Sequence, residues 1–140
     1  MGKTIRGMTI IKSNRESIGA PAEAIFNLLA DYRNFNELLP EQVTNWKVSG
    51  DACSFTIKGM ADISLKISQR LPNTQVIYSS LNASPFSFEL VFNIEANSLS
   101  SFITCEFRGD LNPMLQMLAK APLQNFVNMI LDRLKFHFES

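Results

Sequence analysis

Between residues 84 and 96 the chain reads SPFSFELVFNIEA, with Phe86, Phe88, Leu90, Phe92 and Ile94 at every second position and Ser87, Glu89, Asn93 and Glu95 between them. A period of two places all five large apolar side chains on one face of an extended strand. Leaving them in water would forgo roughly 1.5–3 kcal/mol each, a sum comparable with the net stability of about 5–15 kcal/mol of a whole domain. Whatever fold the chain adopts must cover this face.

The same period runs from Gln42 to Gly109, broken by turn signals at Ser49-Gly50-Asp51, Gly59, Pro72-Asn73, Ala83-Ser84-Pro85 and Ala96-Asn97-Ser98. It predicts six strands, preceded by a long, irregular first strand over residues 4–18. Connections this short imply antiparallel neighbours, because parallel pairs need crossovers of a dozen residues or more. Alternation sends Phe55, Ile57, Ile63, Leu65, Ile67, the residues from Phe86 to Ile94, Leu99, Ile103, Cys105 and Phe107 to one common face. Thr56, Lys58, Asp62, Lys66, Glu89, Glu95, Glu106 and Arg108 fall on the other.

Two segments carry helical spacing instead. In PAEAIFNLLADYRNFNELLP, Pro21 precedes Ile25, Leu28 and Leu29, which predicts one short helix, and a second follows around Arg33–Leu39 and stops at Pro40. The tail DLNPMLQMLAKAPLQNFVNMILDRLKFHFES offers Asn112 as an N-cap and Pro113 at the first helical position. Pro122 restarts the pattern, so a short helix followed by a longer one is expected. The longer helix carries the apolar stripe Phe126, Met129, Ile130 and Leu134, with Asp132, Lys135 and Glu139 facing away. The 140 residues, 1–140, suit a single domain with one core.

Seven strands at about 4.8 Å spacing make a sheet roughly 30 Å wide, whereas one helix is about 10–12 Å across. The sheet must curl around the helix, the short helices must close part of the gap, or an apolar hollow must persist. A hollow of that kind is what small-molecule sites are made of.

Other chemistries find little support. Lys plus Arg and Asp plus Glu each number 13, so no net field attracts phosphate backbones, and no nucleic-acid partner is expected. No apolar run is long enough to span a bilayer, so no integral membrane segment is expected and the cytoplasm is the default compartment. Cys53 and Cys105 belong to no paired framework and read as buried thiols. His137 is the only histidine and, without a placed partner, specifies neither a triad nor a metal site. No catalytic residue, metal ligand or cofactor motif is assigned.

Several residues keep two readings. Arg15 and Glu16 sit on the irregular first strand and face either a solvated edge or the mouth of a hollow. Tyr78 either orients a ligand or caps the core, Trp46 reads as core, and the Ser101 hydroxyl reads as a backbone partner. Met114, Met117 and Leu118, beside the Pro122 break, form either an adaptable lid or core packing; six Met and eleven Phe are unusual in so short a chain.

The order of one strand, two short helices, a six-strand meander and a long C-terminal helix resembles the helix-grip fold of the START, polyketide cyclase and birch-pollen-allergen superfamily (SRPBCC). The passage IGAPAEAIFNLLADYRNFNELLPEQV looks like that superfamily's link between first and second strands. The stretches PEQVTNWKVSGDACSFTIKGMADISLKI and NPMLQMLAKAPLQNFVNMI are similar to uncharacterised bacterial members. The resemblance implies an α+β, helix-grip fold with a seven-stranded curved antiparallel sheet, two short helices and a long C-terminal helix. It also implies a hydrophobic or amphipathic small molecule (lipid, sterol, quinone or polyketide) held between sheet and helix. The family's strand order would set Cys53 and Cys105 four spacings apart, about 19 Å, beyond the roughly 7 Å reach of a disulfide.

On this reading the ligand-binding candidates are Phe55, Ile57, Ile63, Leu65, Tyr78, Phe88, Leu90, Phe92, Ile103 and Cys105 on the sheet. Phe126 and Ile130 on the helix, with Met114, Met117 and Leu118 beside Pro122, complete them. The function expected first is non-catalytic binding of a hydrophobic small molecule by a monomer or homodimer. Two others stand beside it: a cyclase, dehydratase or hydrolase using the same hollow with Tyr78 or Glu16, and a module that docks a partner protein.

Overall fold

The computed structural model describes residues 8–39, 43–57, 61–81 and 86–139. The elements in chain order are β1 (Met8–Lys12), β2 (Glu16–Ile18), α1 (Ala22–Leu29), a 3-10 helix (Tyr32–Leu38), β3 (Val43–Ser49), β4 (Ala52–Ile57), β5 (Ala61–Leu71), β6 (Gln75–Ser80), β7 (Phe88–Asn97), β8 (Ser100–Asp110) and α2 (Pro113–Glu139). One antiparallel sheet runs β1-β8-β7-β6-β5-β4-β3, with β2 also on β8. The turns expected at Gly59 and at Ala83-Ser84-Pro85, the outward Lys58, the stop at Pro40 and residues 4–7 of the predicted first strand lie outside the described residues.

Among the described residues the sheet has eight strands, not seven, because the predicted first strand divides. Ser13 breaks it: its N–H donates to the Cys105 carbonyl (2.8 Å) while its hydroxyl accepts from the Cys105 N–H (2.8 Å). A side-chain oxygen thus stands in for a backbone carbonyl, and the chain resumes as β2 three residues later along the same edge of β8. The remaining turns follow their residues, with Gly50, Asn73 and Ser98 at positive φ where the sequence reverses.

The inner face follows the alternation closely. Phe86, Phe88, Leu90, Phe92 and Ile94 are all at most 7% exposed, and Phe55, Ile63, Leu65, Ile103, Cys105 and Phe107 are buried with them. Leu99 departs from the expectation: it occupies the turn between β7 and β8 and is 82% exposed. The opposite face is less uniformly wet than its charges suggest. Glu106 lies there but is buried, paired with Arg108 (2.6 Å) and Lys12 (3.7 Å), and Val91 is buried between its cross-strand neighbours Ile77 and Glu106.

At the other end of the sheet, β3 is bulged between Thr44 and Lys47, with Asn45 at φ 58°. The bulge turns Trp46 inward, where it stacks on Phe55 at 6.3 Å. Asp31 caps the 3-10 helix by accepting from the Arg33 N–H, and the Arg33 guanidinium holds the Asp31 carboxyl below its usual range.

Instead of two C-terminal helices there is one, continuous through Pro122. Proline removes one i to i−4 hydrogen bond, and its fixed φ is already helical. Ala119 before it and Leu123 and Phe126 after it are buried on the sheet, so packing holds both flanks on one axis. Asn112 caps the helix, its Oδ1 accepting from the Leu115 N–H at 2.9 Å.

The second half of α2 is laced to the first strands. Gln124 donates to the Lys12 carbonyl (2.7 Å), Asn128 accepts from the Asn14 N–H (2.9 Å), and Lys135 donates to the Ser17 carbonyl (2.5 Å). Glu139 accepts from the Gly19 N–H at 2.7 Å, a contact that holds its carboxyl below the usual range. Lys135 and Glu139, expected to face away, reach back to β2 and to the turn after it. No described helix is long and apolar enough to cross a membrane.

Candidate functional site

Where the curved sheet parts from α2, a void remains. Phe55 and Ile57 of β4, Ile63 of β5, Phe88 and Leu90 of β7, Phe107 of β8, and Phe86 just ahead of β7 form its sheet side; Leu123 and Phe126 of α2 form the other. All nine are apolar. The void has a volume of about 10 Å³. That is room for about one water, at a place with no polar partner to hold it.

Rings make up most of the wall. Phe107 stacks on Phe88 at 5.3 Å and meets Phe86 edge-on at 6.0 Å, while Phe126 stacks on Phe55 at 6.2 Å. Aromatic rings pack by offset stacking and edge contact and carry no fixed charge, so this wall selects by shape.

Larger depressions lie on the surface and are open. One, about 660 Å³, crosses the outer face between Lys12, Ser79, Glu89, Glu106 and Arg108, whose central charges pair with each other. Another, about 520 Å³, separates Glu37 from Arg133, Phe136 and His137, with His137 Nδ1 3.8 Å from a Glu37 oxygen. Neither encloses a guest, so the apolar void between the layers is the candidate site.

Of the residues proposed from sequence, Phe55, Ile57, Ile63, Phe88, Leu90 and Phe126 stand on the void. Leu65, Tyr78, Phe92, Ile103, Cys105 and Ile130 are buried in the surrounding core and not on its wall. Met114, Met117 and Leu118 are on the outside of α2, 71%, 82% and 67% exposed, and neither cover the void nor pack in the core. Sequence reasoning passed over Phe86, Phe107 and Leu123 as site residues. Phe86 and Phe107 carried the alternation signal, whereas Leu123 was hidden behind the supposed restart at Pro122.

Tyr78 and Ser101, the polar candidates of the interior, are committed elsewhere. Tyr78 donates to the Leu29 carbonyl at 2.7 Å, and burial pushes its phenol well above the usual range. Ser101 donates to the Ala20 carbonyl at 2.9 Å. Burial raises the Cys53 thiol to about 11 and the Cys105 thiol further still, so both are neutral; both are free, and their strands stand four apart in the sheet. Arg15 pairs with Glu95 (2.8 Å) and lies over the Phe102 ring, on the solvated edge. Glu16 is half-buried opposite Ile103. Among the described residues no three His, Cys, Asp or Glu side chains gather as a metal site.

No protein-family model and no curated protein matches the sequence. Solved structures do match. The KanY protein superposes with a TM-score of 0.78 at 15% identity over 100% of both chains. Norcoclaurine synthase from Thalictrum flavum, in complex with dopamine and hydroxybenzaldehyde, gives 0.71 at 12% identity, covering 98% of this chain and 92% of its own. A START superfamily protein from Mycobacterium smegmatis gives 0.67 at 13%, covering 93% and 97%. The chain therefore has the helix-grip fold that these proteins share, an α+β architecture of curved antiparallel sheet and long C-terminal helix.

Proposed function

We propose that the protein binds one small hydrophobic or amphipathic molecule between the inner face of the sheet and α2. The observation that carries this reading is the void itself: it lies between the sheet and α2 and is walled by nine apolar residues, at the place where one helix cannot cover the sheet. The bound molecules of norcoclaurine synthase are consistent with a scaffold that opens such a space to small guests. At about 10 Å³ the void admits no guest until rings move, so binding displaces side chains from the wall. Catalysis in the same space would need an acid or base aimed into it, and the nine wall residues offer none.

Solvent extraction of the purified protein with mass spectrometry, followed by titration with 1-anilinonaphthalene, tests the reading. One saturable site is expected, and it should be lost in Leu123→Trp, checked for folding by circular dichroism, whose ring takes the space a guest would need. A protein that yields no apolar molecule and shows no saturable site would refute it.

A further inference from the structure

Across the inner face, Thr9 of β1, Gly109 of β8 and Phe88 of β7 form one row, Gly109 being the register partner of both neighbours. A side chain at Gly109 has no room: its Cβ would stand 2.6 Å from Cε1 and Cζ of Phe107 and 3.3 Å from Cβ of Phe88. The Phe107 ring, two residues back on the same strand, has lain down over the glycine. There it fills a notch whose floor is bare backbone, with Phe88 on one side and Thr9 on the other.

Thr9 is the unusual member of the row. Its Oγ1 is the one buried side-chain oxygen or nitrogen among the described residues with no hydrogen-bond partner. Buried hydroxyls are ordinarily paired, as those of Tyr78, Ser101 and Ser13 are. Phe107 also lines the void, so the ring that covers the glycine is one of those a guest entering there would have to displace.

We propose that the Gly109 notch is the inner end of the ligand site, now occupied by the protein's own ring. The ligand is a compact apolar molecule carrying a single hydrogen-bonding group. Its body replaces the Phe107 ring against Phe88, and its polar group pairs with Thr9 Oγ1. This rests on the binding function proposed above and adds the ligand's chemical class and the residue that sizes the site.

Naphthalene and 2-naphthol, which differ by one hydroxyl, serve as probes in fluorescence titrations of the wild type, Thr9→Val, Phe107→Ala and Gly109→Ala, each checked first by circular dichroism and thermal melting. Thr9→Val should shift the ratio of the two dissociation constants toward naphthalene by about threefold to tenfold, the worth of one hydrogen bond. Phe107→Ala should bind both probes about tenfold tighter, because the site no longer has to be vacated first. Gly109→Ala should weaken both by driving the ring into the void; if it does not fold, the other two variants still decide.

Binding of both probes by the wild type, with Thr9→Val and Phe107→Ala unchanged within about twofold, overturns this inference alone. Failure of every folded variant, Phe107→Ala included, to bind either probe overturns the binding function on which it rests.

Discussion

Beneath α1 the interior is closed by hydrogen bonds: Tyr78 ties β6 to the end of α1 through the Leu29 carbonyl, and Ser101 ties β8 to the Ala20 carbonyl. Beneath Leu123 and Phe126 it is closed by rings and aliphatic chains alone, and there the void lies. The same division runs along α2. Its second half is fastened to Lys12, Asn14, Ser17 and Gly19, whereas its first turns bury little beyond Ala119 and half of Leu115. A directional contact fixes geometry to fractions of an ångström, and a shape contact can repack. The region beneath α1 rests on directional contacts, and the region beside Leu123 rests on shape.

The widest separation should come from deletion beneath α1. Leu29 is fully buried, and Leu29→Ala should cost about 2–5 kcal/mol in urea unfolding. Tyr78→Phe should cost about 1–3 kcal/mol by leaving the Leu29 carbonyl unpaired, and a cost near zero would mean that this region also rests on shape. Enlargement sharpens the contrast: Ile25→Phe, beneath α1, should cost about 1–3 kcal/mol, while Ile63→Phe, on the void, should cost less than about 1. Equal costs would erase the distinction.

The last effect is absent at neutral pH. Cys53 is neutral in the folded chain up to about 11, while its thiol in the unfolded chain ionises from 9.0. Above pH 9 the unfolded state has therefore lost protons that the folded state keeps, so stability falls as pH rises through 9 to 11. Urea midpoints of Cys53→Ala should decline less steeply than those of the wild type between pH 9 and 11, and parallel curves would count against burial of this thiol.

Much of the fold is legible in the sequence, for a physical reason. Alternation in Phe86–Ile94 and Phe55–Ile57 reports which face is dry, and the turns at Gly50, Asn73 and Ser98 need residues that tolerate positive φ. What escaped reading depends on context. Ser13 divides a strand because its hydroxyl meets the Cys105 N–H from 92 positions away, and Pro122 leaves a helix unbroken because both flanks are packed. Leu99 had the parity of the core but sits past the strand's end. At the site, Phe55, Ile57, Ile63, Phe88, Leu90 and Phe126 were within reach of the pattern, whereas the exposure of Met114, Met117 and Leu118 was not. Helical spacing says that three residues share a face, without saying which way the face looks.

The pairing of β1 and β2 with β8 also sets an order in time. Ser13 and Cys105 are 92 positions apart, and a ribosome adding about 5–20 residues per second needs roughly 5–20 s to bridge such a distance. For that interval Ile11 and Ile18, fully at home only against β8, have no partner strand. The meander of hairpins from β3 to β8 can form from local contacts, while the first strands must wait and close a long loop at the end. β1 and β2, made well before their partner, are thus among the last strands to find their place, and a growing chain depends on their staying unpaired until β8 emerges.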